Sequence, residues 1–269
     1  MSLRFSGPPP PDILVPTAVE RLRRGGTLRP VWANELGGLT FALTHGTETT
    51  FVKWAPAGSG VDLSDEVARL DWAAPFVVVP HVVDQGADDE GGWFATAALP
   101  GENAVTARWK AEPDIAVAAI GRGLRAFHDA LPVDGCPFSW SVADRLASVD
   151  ERLAADAIDP RRWHADHRSL DLDRARDRLT DAPDVDHVVV GHGDACAPNT
   201  LIAADGTWSG HVDLGSLGVA DRWADLAIAT WSTMWNYGPG MEEPLLDAYG
   251  VDPDPERTAY YRLLWDLGP

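Results

Sequence analysis

Five side chains in this sequence have the types and the order that transfer of a phosphoryl group demands. The apolar run Val188–Val190 leads into His192-Gly193-Asp194, Asn199 follows Asp194 by five residues, and Asp213 stands in a later Val-Asp-Leu-Gly. Moving a phosphoryl group asks a protein for positioning and charge more than for covalent chemistry. A carboxylate must orient the attacking hydroxyl, and Asp194 suits that role. Mg²⁺ takes a few protein oxygens and completes its shell with phosphate oxygens and water, and Asn199 and Asp213 can supply the protein share. A cation must meet the nucleotide phosphates; Lys53 provides one, with Glu66 thirteen residues later as its ion-pair partner. Singly, each is ordinary: a solvated lysine, a helix-surface acid, loop-capping Asp and Asn. Their joint order carries the reading.

Particular elements must position these groups. The stretch "VWANELGGLTFALTHGTETTFVKWAP" reads as strands with turns at Gly37-Gly38 and at "THGTE", and Thr50–Trp54 is the strand that carries Lys53. Leu63, Val67 and Leu70 recur at helical spacing, with Asp62 as N-cap, which predicts a helix bearing Glu66. "FVVVPHVVDQG" and "GGWFATAAL" are further strands, and "PGENA" then punctuates the chain. Beyond it, "PDIAVAAIGRGLRAFHDAL" begins a helix with Pro in its first turn. Arg145–Leu153 and Leu170–Leu179 are also helical, Val188–Val190 is a buried strand, and "SGHVDLGS" is a second short one. The remainder is mostly helical, with a loop at "NYGPG". The expected fold is α+β and bilobal. Residues 1–99 form a small β-rich lobe with one helix, opening on an extended Pro-rich arm (1–16), and residues 100–269 form a larger, mainly helical lobe.

Bulk properties narrow the partners. A formal charge of −19 over 269 residues argues against nucleic acid or an anionic membrane, since binding phosphates needs clustered Lys and Arg. The same acidity either steers a cationic ligand or simply aids solubility. With 45% hydrophobic residues and 12 Trp, a packed core is expected. Cys136 and Cys196 lie in no metal-binding spacing and read as reduced thiols. No stretch has transmembrane length or a signal-peptide core, which points to the cytoplasm.

The segments "GHGDACAPN", "GHVDLGSLGVADRWADLA", "DEVARLDW", "GLRAFHDALPVDGCPF" and "ERTAYYRLL" resemble the aminoglycoside phosphotransferases, relatives of the protein kinases, and especially their 3′-hydroxyl branch. The resemblance runs from about Trp32 to Leu264. The order Lys-Glu-Asp-Asn-Asp also matches the protein-kinase signature set. What this implies is a kinase-like bilobal fold, ATP as donor and Mg²⁺ as cofactor. By resemblance, Asp194 is the catalytic carboxylate, Asn199 and Asp213 are the metal ligands, and Lys53 with Glu66 binds the α/β-phosphates. Gly37 and Gly38 match the loop that covers the phosphates, and the backbone of Thr96 and Ala98 matches the adenine-binding segment. Only five residues separate Gly215 from Asp221, which leaves no room for a peptide-docking segment, so a small-molecule hydroxyl acceptor is expected and a protein substrate is not. The oligomeric state is left open.

The acceptor side departs from the family pattern. Ser216 stands where the 3′-type enzymes carry Arg after Asp-x-Gly, and Trp231 and Trp235 stand where their next helix carries Arg and Glu. Of the family's terminal carboxylates only Asp266 is kept, and the family's acidic loop corresponds to the mixed, partly basic "DPRRWHADHRS". Aminoglycosides are polycations read by carboxylates. Two acceptors therefore compete: an aminoglycoside 3′-hydroxyl, or another hydroxylated metabolite or natural product fitting a less cationic, Trp-lined site formed with Ser216 and Asp266. Trp231 and Trp235 equally suit packing of the helical lobe. A non-catalytic nucleotide-binding regulator is the third reading, and the complete set of five chemical residues stands against it. His192 and Asp225 are expected to hold loops.

Overall fold

The computed structural model describes residues 7–268. The chain divides into two compact units between Leu99 and Pro100.

The first unit is built on an antiparallel sheet. Helix α1 (Thr17–Leu22) precedes β1 (Thr27–Ala33), β2 (Leu39–His45) and β3 (Glu48–Pro56); α2 (Leu63–Ala73), β4 (Val82–Ala87) and β5 (Gly91–Ala97) follow. The strand order is β1-β2-β3-β5-β4. Strand alternation gives the sheet two different faces. Phe41, Val52 and Ala95 share one face and make a core with Val19 of α1. On the other face the register sets Lys53 between Thr40 and Phe94, and Phe51 between Ala42 and Thr96. Helix α2 packs against β3, β4 and β5, and Asp62 caps it by accepting the Ser64 N–H.

Of the expected extended arm, residues 1–6 lie outside the described residues. From Gly7 onward it is docked: Gly7 and Ala33 exchange backbone hydrogen bonds of 2.9 Å, and Ile13 and Val15 pack on the sheet's core. Those two apolar side chains, downstream of the prolines, give the segment a reason to lie down.

The second unit contains β6 (Glu102–Asn103), α3 (Ala107–Ala111), α4 (Pro113–Ala130), α5 (Val142–Ala154), α6 (Leu172–Arg178), β7 (Val188–Gly191), β8 (Thr200–Ile202), β9 (Trp208–His211), β10 (Gly218–Asp221), α7 (Trp223–Tyr237), α8 (Glu242–Tyr249) and α9 (Pro255–Leu267). Helix α4 packs on α8, and α7 packs on α9. Trp109, Trp163, Trp223 and Trp231 are buried in this unit. It also holds two small sheets: β7 pairs antiparallel with β10, and β8 lies between β6 and β9. The sequence reading had no place for α1, α3, β6, β8 or β10. All are short, and the strands among them run only two to four residues, too few for alternation to register. No helix among the described residues is long and apolar enough to cross a membrane.

Candidate active site

In the first unit, Lys53 projects from β3 and Glu66 from α2. Lys53 Nζ donates to both Glu66 carboxylate oxygens, at 2.6 and 2.8 Å, and stands 5.9 Å from the centre of the Phe94 ring. Glu66 is buried. Removing two charges from water is costly unless they are paired with good geometry, and here they are. The turn between β1 and β2 is tied by Asn34, whose Oδ1 accepts from the Leu36 and Gly38 N–H groups at 3.1 and 2.7 Å. Gly37 has φ +85°, a conformation that L side chains rarely adopt. Thr96 is buried in β5, and the Ala98 N–H donates to the Thr49 carbonyl at 3.1 Å. The Ala98 donor expected to meet adenine is thus engaged within the sheet. Phe51, two residues before Lys53 on β3, lies on the same strand face.

In the second unit, β7 delivers the His192-Gly193-Asp194 loop. Asp225 on α7 fixes it from below, accepting the His192 N–H on Oδ2 at 2.6 Å and the Gly193 N–H on Oδ1 at 2.8 Å. Asp225 is itself held by His128 Nε2 at 2.9 Å, and His128 Nδ1 meets the Tyr249 hydroxyl at 2.8 Å. Burial alone would raise the Asp225 pKa, but the His128 hydrogen bond and charge, with His192, outweigh it and hold the carboxyl below its ordinary value. His192 is buried, with Nε2 on the Val212 carbonyl at 3.0 Å and Nδ1 accepting the Asp194 N–H at 3.2 Å. The loop-holding roles expected of His192 and Asp225 are the ones this geometry has. Gly193 has φ +80°, and a Cβ there would lie 2.1 Å from the Ser216 carbonyl oxygen, so the His192–Asp194 loop and the Asp213–Ser216 loop touch through bare backbone.

Asp194 reaches its position with one carboxylate oxygen satisfied. Asn199 Nδ2 donates to the Asp194 carbonyl at 2.9 Å and to Oδ2 at 3.1 Å, while Oδ1 is buried without a partner. Burial, and then the charge of Asp213, push this carboxyl up from its ordinary value. The Asn199 carbonyl accepts the Val212 N–H at 3.0 Å, which brings Asp213 beside the same turn. Asp213 is exposed and sits at φ +66°, left-handed backbone that only a few non-Gly residues adopt. The Asn199 amide nitrogen is committed to Asp194, so its oxygen is the donor left over. An amide oxygen and a carboxylate suit a hard divalent cation that keeps water and phosphate oxygens in its shell.

The expected acceptor residues divide. Trp231 is fully buried, 4.5 Å from the His164 ring and 5.2 Å from Trp235, with the Arg262 guanidinium 5.3 Å from its ring. It is a packing residue, which corrects its assignment to a substrate-lining surface; its i,i+4 partner Trp235 is 49% exposed. Asp266 is not open either: its Oδ2 accepts from His167 Nδ1 at 2.6 Å and from the His164 N–H at 3.0 Å. Its carboxylate fastens the loop ahead of α6 to α9. Ser216 is half-buried, its carbonyl pressed on Gly193. Imidazoles from "DPRRWHADHRS" therefore stand beside the indoles of α7, a neighbourhood that the segment's basic residues hinted at without specifying.

Comparison with known proteins identifies the family. Residues 29–261 match the model of the phosphotransferase enzyme family. The chain is 36% identical over 251 residues to an aminoglycoside 3′-phosphotransferase of Streptomyces fradiae, covering 85% of this chain and 90% of that protein. The crystal structure of an aminoglycoside-3′-phosphotransferase of type VIII superposes with a TM-score of 0.80 at 30% identity, covering 93% of this chain and 98% of that one. A Streptomyces rimosus aminoglycoside phosphotransferase of the 3″ type, solved with ADP and streptomycin, superposes with a TM-score of 0.73 at 26% identity, covering 85% of this chain and 90% of that one.

Proposed function

The chain belongs to the phosphotransferase enzyme family, and we propose that it transfers the γ-phosphoryl group of ATP to a hydroxyl of an aminoglycoside in the cytoplasm. The observation that carries the reading is Asp194: a buried carboxylate, gripped by Asn199 through one oxygen and presenting the other without a partner. That unpartnered oxygen is suited to accept the proton of an incoming hydroxyl. The hydroxyl oxygen forms its bond to the γ-phosphorus as the bond to the β–γ bridging oxygen breaks; ADP leaves, and the proton passes to Asp194.

Asn199 and Asp213 hold Mg²⁺ in this reading, and the ion offsets the negative charge of the phosphates. Lys53, fixed by Glu66, binds the α/β-phosphates, the Gly37-Gly38 turn covers them, and Phe51 offers an aromatic face to the purine beside the Thr96–Ala98 segment. The aminoglycoside acceptor is supported by the Streptomyces fradiae relative and by the streptomycin bound to the Streptomyces rimosus enzyme. One observation favours a second acceptor class, a less cationic natural product: Trp235 is exposed and backed by His164, where polycation recognition calls for carboxylates.

The test is ADP release from Mg-ATP with kanamycin or streptomycin, against a blank without acceptor and against Asp194→Asn. Acceptor-dependent release that drops by about 10²- to 10⁴-fold in the variant is expected. Release at the blank rate, from protein that binds ATP, overturns the aminoglycoside reading in favour of the second class.

A further inference from the structure

The turn that carries Asn199 hangs from a side chain with no part in the chemistry above. Cys196 precedes the one-turn 3-10 helix Ala197–Asn199, and no side chain of the turn itself caps it. Instead the Ala197 N–H donates to Ser232 Oγ, on α7, at 2.9 Å. Ser232 is 1% exposed. Its hydroxyl is fixed in turn by Asn236, one helical turn on, whose Nδ2 donates to the Ser232 carbonyl at 2.9 Å and to Oγ at 3.3 Å. A hydroxyl has two acceptor sites and one proton. Both acceptor sites are taken by N–H groups, one from the turn and one from Asn236. The Ser232 hydroxyl is thereby held between the turn and its own helix.

We propose that Ser232 is a positioning residue for phosphoryl transfer: by anchoring the Cys196–Asn199 turn to α7, it fixes Asn199, and through Asn199 the orientation of the Asp194 carboxylate. The proposal rests on the function assigned above. Asn199 sets Asp194 by two hydrogen bonds from a single nitrogen, so a rotation of the turn moves both. The anchor comes from the interior of α7, the helix whose Asp225 holds the preceding His192-Gly193 backbone, so one rigid element sets both ends of the catalytic loop.

Two readouts test this on the full chain. The first is steady-state ADP release by Ser232→Ala and Ser232→Thr. The alanine variant is expected to lose about 10- to 100-fold in kcat, the scale of a small misplacement, with KM for ATP within about threefold of the parent. The threonine variant, which keeps the hydroxyl, should recover most of the loss. A folded Ser232→Ala enzyme with kcat within about twofold of the parent overturns the proposal, as does a kcat loss that KM for ATP mirrors. The second readout needs no turnover: amide hydrogen exchange of the 195–200 segment. Ser232→Ala should lose protection there while α7 keeps its own. Unchanged protection of 195–200 overturns the anchor even if the parent proves inactive on every aminoglycoside tried, so failure of the assigned function and failure of this proposal read differently.

Discussion

Asn199 grips Asp194 at two points, its side-chain nitrogen reaching the Asp194 carbonyl at 2.9 Å and the carboxylate at 3.1 Å. One amide thus has two duties in the proposed mechanism: its nitrogen orients the Asp194 carboxylate, and its oxygen is left for a cation.

Replacing Asn199 should separate those duties from nucleotide affinity. Asn199→Ala is expected to lower kcat by at least about tenfold and to raise the Mg²⁺ concentration for half-maximal ADP release by a similar factor. A Mg²⁺ titration of initial rates checks it. An unchanged Mg²⁺ midpoint would remove Asn199 from the metal role and leave only its hold on Asp194.

Lys53 and Glu66 should behave as a pair. Lys53→Met leaves the buried Glu66 short of its cation, an imbalance worth up to about 3 kcal/mol of stability, whereas Lys53→Met with Glu66→Gln should regain much of that loss. Urea unfolding of the two variants measures it. ATP affinity should stay low in both, since neither retains the strand cation.

Acid should weaken the second unit through Asp225. Its carboxyl lies below the ordinary value in the folded chain, so the stability it contributes is present above the unfolded pKa of about 3.9 and is lost as pH falls through the lower folded value. Asp225→Asn should therefore be less stable than the parent at pH 7, and its stability should fall less steeply below about pH 4. Chemical denaturation across a pH series tests this; parallel acid limbs for the two proteins would contradict it.

The two acceptor-side tryptophans should part company. Trp231→Ala empties a fully buried site and should cost about 3–5 kcal/mol. Trp235→Ala should leave stability within about 1 kcal/mol and instead raise KM for the acceptor, with KM for ATP unchanged. Thermal melts and substrate titrations distinguish the two.

How far the sequence reaches can be judged from these same residues. The pairing of Lys53 with Glu66, expected from residue type and order, is present across thirteen residues. Asp225 was legible as a loop holder, but its partners His128 and Tyr249 come from α4 and α8, which no local spacing connects. Trp231 and Trp235 share a helical face at i,i+4, and periodicity could not tell which one the neighbouring loop would cover. His164 and Arg262, distant in sequence, cover Trp231. Asp266 was read as an open carboxylate because nothing in the chain's order announces His167 as its partner.

The occupancy of α7 has a consequence for how such an enzyme can evolve. From Trp223 to Thr233 every residue of the helix is buried, and Trp235 is its exposed side chain. Most replacements along this helix therefore disturb the core or the loop that carries Asp194 before they alter anything at the surface. Under selection, change that spares the fold is channelled to Trp235 and to the exposed residues of the loop around His164.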